Sequence, residues 1–376
     1  KTGQGMNIKN KAGIDIMDMD GRKPVKIINK GEKPRFNVAG SRVFLQTGGT
    51  YVGNLTKKLI SVNLQGDDER EHVISKYANH IVPSPDNNWV AFTNLHKAYI
   101  APMPQTGKPL ILDGKSDNVP VQQIAKDAGV NLHWSSSSNK IMWTLGDEYF
   151  SNTLQDKFNF VPGGKDTPTE MQDHGVKVGL TALVDKPSGR IAFSDVRIIT
   201  MNGDEVIENG VIIINGDHIE AIGKTADVLI PDNCKVIVAT GKTIMPGLVD
   251  SHAHIGAFRG GLPAQTNWQF AANLAFGVTT AHAPSANTQT VFTLSELQKA
   301  GELVGPRLYS TGFILYGADG DFKAVINTLD DARSSIRRTK AFGAKSVKSY
   351  NQPRREQRQQ VLQAAREEGI NVVPEG

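Results

Sequence analysis

The chain has 376 residues, 39% hydrophobic and 21% charged, enough for two or three domains that each bury a core. Its net charge of +4, with Lys and Arg spread along the length, argues against nucleic-acid binding. The longest apolar runs, such as Val211–Ile214, are far short of a membrane span, and the single cysteine, Cys234, excludes an internal disulfide framework.

From Lys1, where no apolar signal-like run appears, to residue 185 the chain reads as short strands separated by turn residues. Three segments resemble one another: Phe36-Asn-Val-Ala-Gly-Ser-Arg-Val-Phe-Leu45, Ser84-Pro-Asp-Asn-Asn-Trp-Val-Ala-Phe92 and Ser135-Ser-Ser-Ser-Asn-Lys-Ile-Met-Trp143. Each is a polar turn followed by an apolar strand. A second element recurs in Ile14–Gly21, Leu59–Gly66 and Ala98–Pro104. A period of about 50 residues suits four-stranded propeller blades. Ser84-Pro-Asp resembles the turn of TolB-like propellers, with Asn87 where glycine usually sits. The resemblance implies three to four blades, fewer than such propellers usually have. His133-Trp134 is expected to fill a blade core.

Residues 155–190 form a Gly/Pro/polar connection, and the domain boundary is placed at Lys186-Pro-Ser-Gly-Arg190. A β meander follows, 186–245. Its strands are Phe193–Met201, Val206–Asn209, Val211–Ile214, Ile219–Ile222 and Lys235–Ala239, with turns expected at Asn202-Gly203, Gly210 and Asn215-Gly216. From Pro246 the texture becomes helix, Gly, strand. Helical spacing in Thr266–Phe276, Thr293–Ala300, Leu329–Phe342 and Arg354–Glu368 alternates with strands at 278–283, 306–312, 344–350 and 370–375. Such units imply parallel strands with crossover helices. Pro246-Gly-Leu-Val-Asp-Ser-His-Ala-His254 makes the first of five strands. A full (β/α)8 barrel has eight and needs about 250 residues, whereas about 130 remain here, so strands 1–5 of an incomplete TIM barrel are expected over 246–376.

Successive strand side chains alternate faces, so His252 and His254 point the same way, with Asp250 on that face. Two imidazoles aimed at one point suit Zn2+ or a related ion; the competing reading is a pair of hydrogen-bonded core histidines. Asp250 either orients an imidazole or holds the strand end.

These elements together resemble the amidohydrolase superfamily, in particular imidazolonepropionase and prolidase-like members with a TolB-like N-terminal propeller. Pro246–His254 is similar to its first-strand metal motif, Phe276-Gly-Val-Thr-Thr280 to its second strand, Gly305-Pro-Arg-Leu308 to its third and Gly343-Ala-Lys-Ser-Val-Lys348 to its fourth. The meander resembles its small β-sandwich. The resemblance implies one or two divalent ions held by His252, His254 and a carboxylated, metal-bridging Lys348. It departs at Glu375, where a histidine is usual; Glu375 either replaces that ligand or serves another role. The general-base aspartate, and a further histidine, are expected beyond Gly376. His282 on the second strand, and Tyr350, Asn351, Arg354 and Arg355 after the fourth, stand on the side where substrate would lie. Their plainer readings are a satisfied hydrogen-bonder and a solvated helix start.

The expectation is therefore a multidomain protein with a partial β-propeller, a small β-sandwich and an incomplete barrel. The resemblance implies a metal-dependent hydrolase of small-molecule amide, cyclic-amide or dipeptide C–N bonds acting through a metal-activated water. Taken alone, the 376-residue chain is expected to hydrolyse nothing. The alternative is a propeller-based binding protein with a degenerate barrel. Substrate identity and assembly as a homo-oligomer stay open, and export is implied only by the company TolB-like propellers keep.

Overall fold

A computed structural model describes residues 13–21, 24–49, 56–255, 266–318 and 323–375. The chain divides into two compact units, one of residues 1–180, 284–288 and 311–376, the other of residues 181–283 and 289–310.

The first unit opens with a hairpin, Ile14–Ile16 against Val25–Ile28, and three successive sheets. Glu32–Phe36, Arg42–Gly48, Thr56–Asn63 and Arg70–Lys76 form an antiparallel meander, extended by Leu110–Ile111 in parallel. Ile81–Pro83, Trp89–Asn94, Lys97–Pro102 and Gln122–Ala125 form the second sheet, and Val130–Trp134, Lys140–Leu145, Glu148–Thr153 and Val176–Lys177 the third. The internal repeat has a physical basis in one recurring turn. Gly40, Asn87 and Ser138 donate their N–H groups to the carbonyls of Asn37, Ser84 and Ser135 at 2.9, 2.9 and 3.0 Å. The side chain that opens each turn also accepts the first N–H of the next strand, from Arg42, Trp89 and Lys140 at 3.0, 3.0 and 3.2 Å. The fourth residue of each turn is left-handed, with φ of +64°, +62° and +61°. Asparagine at 87 takes that conformation more readily than most residues, which is why it stands in for glycine.

Strand alternation then builds the cores. Val90 and Phe92 pack with Phe44, Leu59 and Val73 of the first sheet, while Ala91 packs with Trp134, Ile141 and Trp143 of the third. Trp134 is buried in that core, and its indole N–H donates to the Val82 carbonyl at 3.0 Å.

The same unit ends in a parallel sheet ordered Lys323–Val325, Ile314–Tyr316, Ser346–Ser349, Asn371–Pro374. Helices Leu329–Ala341 and Arg355–Glu368 cover it, and Leu315, Ile326, Ile336, Val347 and Val361 form its core. Thr328 caps the first helix by accepting the Asp331 N–H at 3.1 Å. That helix is stitched to the N-terminal sheets by polar groups. The Arg337 guanidinium makes two bonds to the Asp127 carboxylate at 2.7 and 2.8 Å, and Arg338 donates to the Ala128 carbonyl at 2.7 Å. Removing Asp127 leaves the partly buried Arg337 with only the more distant Glu368 carboxylate, at 3.8 Å, so Asp127→Ala is expected to lower unfolding free energy by about 2 kcal/mol. Urea denaturation reads this; a loss within about 0.5 kcal/mol, as at an ordinary surface site, would contradict it.

In the second unit, Arg190–Ile199, Val206–Asn215 and His218–Lys224 form an antiparallel meander, with Cys234–Val238 and Thr243–Ile244 parallel to the first. The turns at Gly203 and Gly216 are left-handed, at φ +60° and +62°. The turn expected at Gly210 is not formed; Val206–Asn215 is one continuous strand. Gly210 serves close packing instead, because a Cβ there would lie 2.7 Å from the Ile198 side chain. A three-stranded parallel sheet follows, ordered Leu248–Asp250, Val278–Ala283, Arg307–Ser310, with helices Trp268–Ala275 and Thr288–Lys299. From Leu248 onward the described residues thus hold seven parallel strands in two sheets rather than the five expected. The additions are the short Ile314–Tyr316 and Lys323–Val325. Among the described residues, no helix is long and apolar enough to cross a membrane.

Candidate metal site

The first strand of the three-stranded parallel sheet ends at Asp250, two residues before the first histidine. Its carboxylate accepts the His252 N–H at 3.0 Å, a local capture that turns the chain out of the sheet. His252 and His254 therefore sit in the turn beyond the strand rather than on its face, and Asp250 holds the strand end. The two imidazoles are nevertheless neighbours, with ring centroids 5.1 Å apart and planes at 65°. Both residues are exposed, while Ala253 between them is buried and donates its N–H to the His282 carbonyl at 2.9 Å. The turn is thus tied to the adjacent strand Val278–Ala283. The half-buried His282 imidazole lies below its ordinary pKa, first through burial and then through the neighbouring His252. A hydrogen bond to the Ser251 backbone opposes this. His282 supports the turn that carries the histidine pair.

Exposed, adjacent imidazoles fit a cation better than they fit a packed core, and neutral imidazole is a good donor for Zn2+. Among the described residues, no group of three or more His, Cys, Asp or Glu comes together around a common point, so the pair is a partial ligand set.

Lys348 and Glu375 meet in the first unit. Ser346–Ser349 and Asn371–Pro374 run parallel with Lys348 opposite Val373, and the Glu375 N–H continues the ladder to the Ser349 carbonyl at 3.0 Å. This register brings the Glu375 carboxylate into an ion pair with the Lys348 ammonium. Lys348 is 2% exposed. Its ammonium lies 5.4 Å from the centre of the Tyr350 ring, which in turn meets Tyr316 edge-on at 5.5 Å. Arg358 donates to the carbonyls of both Tyr350 and Glu375, at 3.1 and 2.9 Å. Arg358, one turn into its helix, carries no local signal of this role in the sequence. Arg354 is exposed at the start of that helix, where its backbone N–H bonds the Gln357 side chain at 3.1 Å, and Arg355 is exposed beside it. Tyr350 is half-buried.

No family model matches the chain. It is 45% identical over 62 residues to an imidazolonepropionase of Geobacillus kaustophilus, covering 16% of this chain and 14% of the relative. It is 40% identical over 53 residues to an imidazolonepropionase of Alkaliphilus oremlandii, covering 13% of each. The chain thus matches about a seventh of those relatives' length. Among solved structures it is similar to a Xaa-Pro dipeptidase with bound methionine in its active site, at TM-score 0.39 and 21% identity over 49% of this chain and 56% of the other. It is also similar to the A. niger ochratoxinase, at TM-score 0.40 and 16% identity over 50% and 56%. The local sequence matches support kinship with the amidohydrolase superfamily.

Proposed function

We propose that this chain carries part of the active site of a metal-dependent, amidohydrolase-type hydrolase acting on C–N bonds of a small amide, cyclic amide or dipeptide. The observation that carries this reading is the adjacency of the His252 and His254 rings just past the end of a parallel β/α strand, where sites of such folds lie. His252 and His254 would hold the ion, Zn2+ in the simplest case, with Asp250 and His282 fixing the turn. When bound, such an ion supplies Lewis acidity toward a carbonyl oxygen and acidifies a water. The chain's own part is to present two imidazole donors on a turn anchored to two strands. In this reading the parallel strands belong to a (β/α)8 barrel, and the three N-terminal sheets are TolB-like propeller blades.

The test is hydrolysis of a panel of dipeptides, N-acyl amino acids and cyclic amides by the natural protein carrying this sequence, loaded with zinc. Turnover that His252→Ala abolishes is expected. Turnover unchanged by that substitution and by chelation would overturn the reading.

A further inference from the structure

We propose that Lys348 is the buried ion-pair partner of Glu375, so that its amine is not carboxylated and neither residue is a metal ligand. This rests on the reading above only in saying what the metal does without. Carboxylation requires the ammonium to release a proton. The nitrogen lone pair then attacks the CO2 carbon, one C=O electron pair moves to oxygen, and a second proton leaves nitrogen. The group passes from one positive to one negative charge.

Three features of the Lys348 surroundings favour the first state and oppose the second. The Glu375 carboxylate is already paired with the Lys348 nitrogen, which is itself buried, and a carbamate there would set two like charges side by side. The Tyr350 ring presents its electron-rich face to the same nitrogen, at 5.4 Å from ring centre, which attracts a cation and repels an anion. The backbone that carries the acid is also fixed. Arg358 grips the main-chain carbonyls of Tyr350 and Glu375, and the Glu375 N–H bonds Ser349, which keeps Glu375 beside Lys348. The glutamate at this position thus has a role without a metal: it is the counter-ion of a buried lysine.

The experiment uses the natural protein carrying this sequence, equilibrated with zinc and 13C-bicarbonate at mildly alkaline pH and observed by carbon NMR. No protein-bound carbamate resonance is expected. Lys348→Arg supplies Glu375 with a cation that cannot be carboxylated, and should leave zinc content and thermal midpoint nearly unchanged. Glu375→Gln strands the ammonium and should lower the midpoint by about 5 °C or more. A carbamate resonance in the unaltered chain, or zinc lost in a folded Lys348→Arg protein, would overturn the proposal. Should Lys348→Arg fail to fold, the spectrum of the unaltered chain decides alone. A natural protein that binds no zinc and shows no carbamate sinks the hydrolase reading and leaves this one standing.

Discussion

Zinc titrated into the chain is expected to bind, and His252→Ala or His254→Ala to weaken that binding on the order of 100-fold or more. Loss of a residue that merely orients a ligand already costs about 10–100-fold, and these substitutions remove a donor itself. The same experiment separates a ligand from a core histidine. Both rings are exposed, and the bond that shapes their turn runs from the Asp250 carboxylate to a backbone N–H that survives either substitution. Without metal, each variant should therefore lie within about 0.5 kcal/mol of the unaltered chain in stability. With zinc at 100 times its dissociation constant, the unaltered chain should gain about 2.7 kcal/mol and the variants almost none. Calorimetric titration with matched thermal melts reads both quantities. Equal zinc affinity in all three proteins, or large losses of metal-free stability, would contradict the ligand assignment.

The second large effect is acid destabilisation through His96. This residue is 4% exposed, between the N-terminal sheets and the Leu329–Ala341 helix. Its Nε2–H donates to the Val325 carbonyl at 2.6 Å, which leaves Nδ1 to accept from Arg338 and from the Ser335 hydroxyl, each at 3.2 Å. Burial first, and the Arg338 cation second, lower its pKa from 6.5 to about 4, against weaker opposition from the Val325 bond and the Asp331 and Asp127 carboxylates. The folded imidazole stays neutral while the unfolded one takes a proton below about pH 6.5. Its contribution is complete above that pH and is lost as pH falls toward about 4, amounting to about 3 kcal/mol. His72 and His80, lowered to about 4 and about 3 mainly by burial, add losses of the same sign. The His96 share is isolated with His96→Gln, whose amide can donate to Val325 and accept from Arg338 without titrating. Urea unfolding at pH 7 and pH 4.5 should show a flatter pH dependence in that variant. Parallel curves would remove His96 from the account.

The parts of this molecule legible in its sequence are those set by local rules. The recurring turns at Asn37, Ser84 and Ser135 announced the N-terminal sheets, because the same side-chain capture starts each strand. The histidine pair was visible from its spacing, although strand alternation was the wrong reason for its convergence. The Asp250 side chain competes for the backbone and ends the strand early. Gly210 misled because glycine signals both a turn and a close approach, and only the position of Ile198 distinguishes them. The Lys348–Glu375 pair depended on the register of two parallel strands, and the His96–Arg338 contact joins residues 242 apart, so neither leaves a local trace.

The claim on which the functional reading depends is that the His252 and His254 imidazoles share one cation. Crystals of the zinc-loaded protein, measured on both sides of the zinc absorption edge, test it directly. The account requires an anomalous peak bonded to a ring nitrogen of each histidine. Zinc bound elsewhere, or rings turned apart with no ion between them in saturating metal, would contradict it.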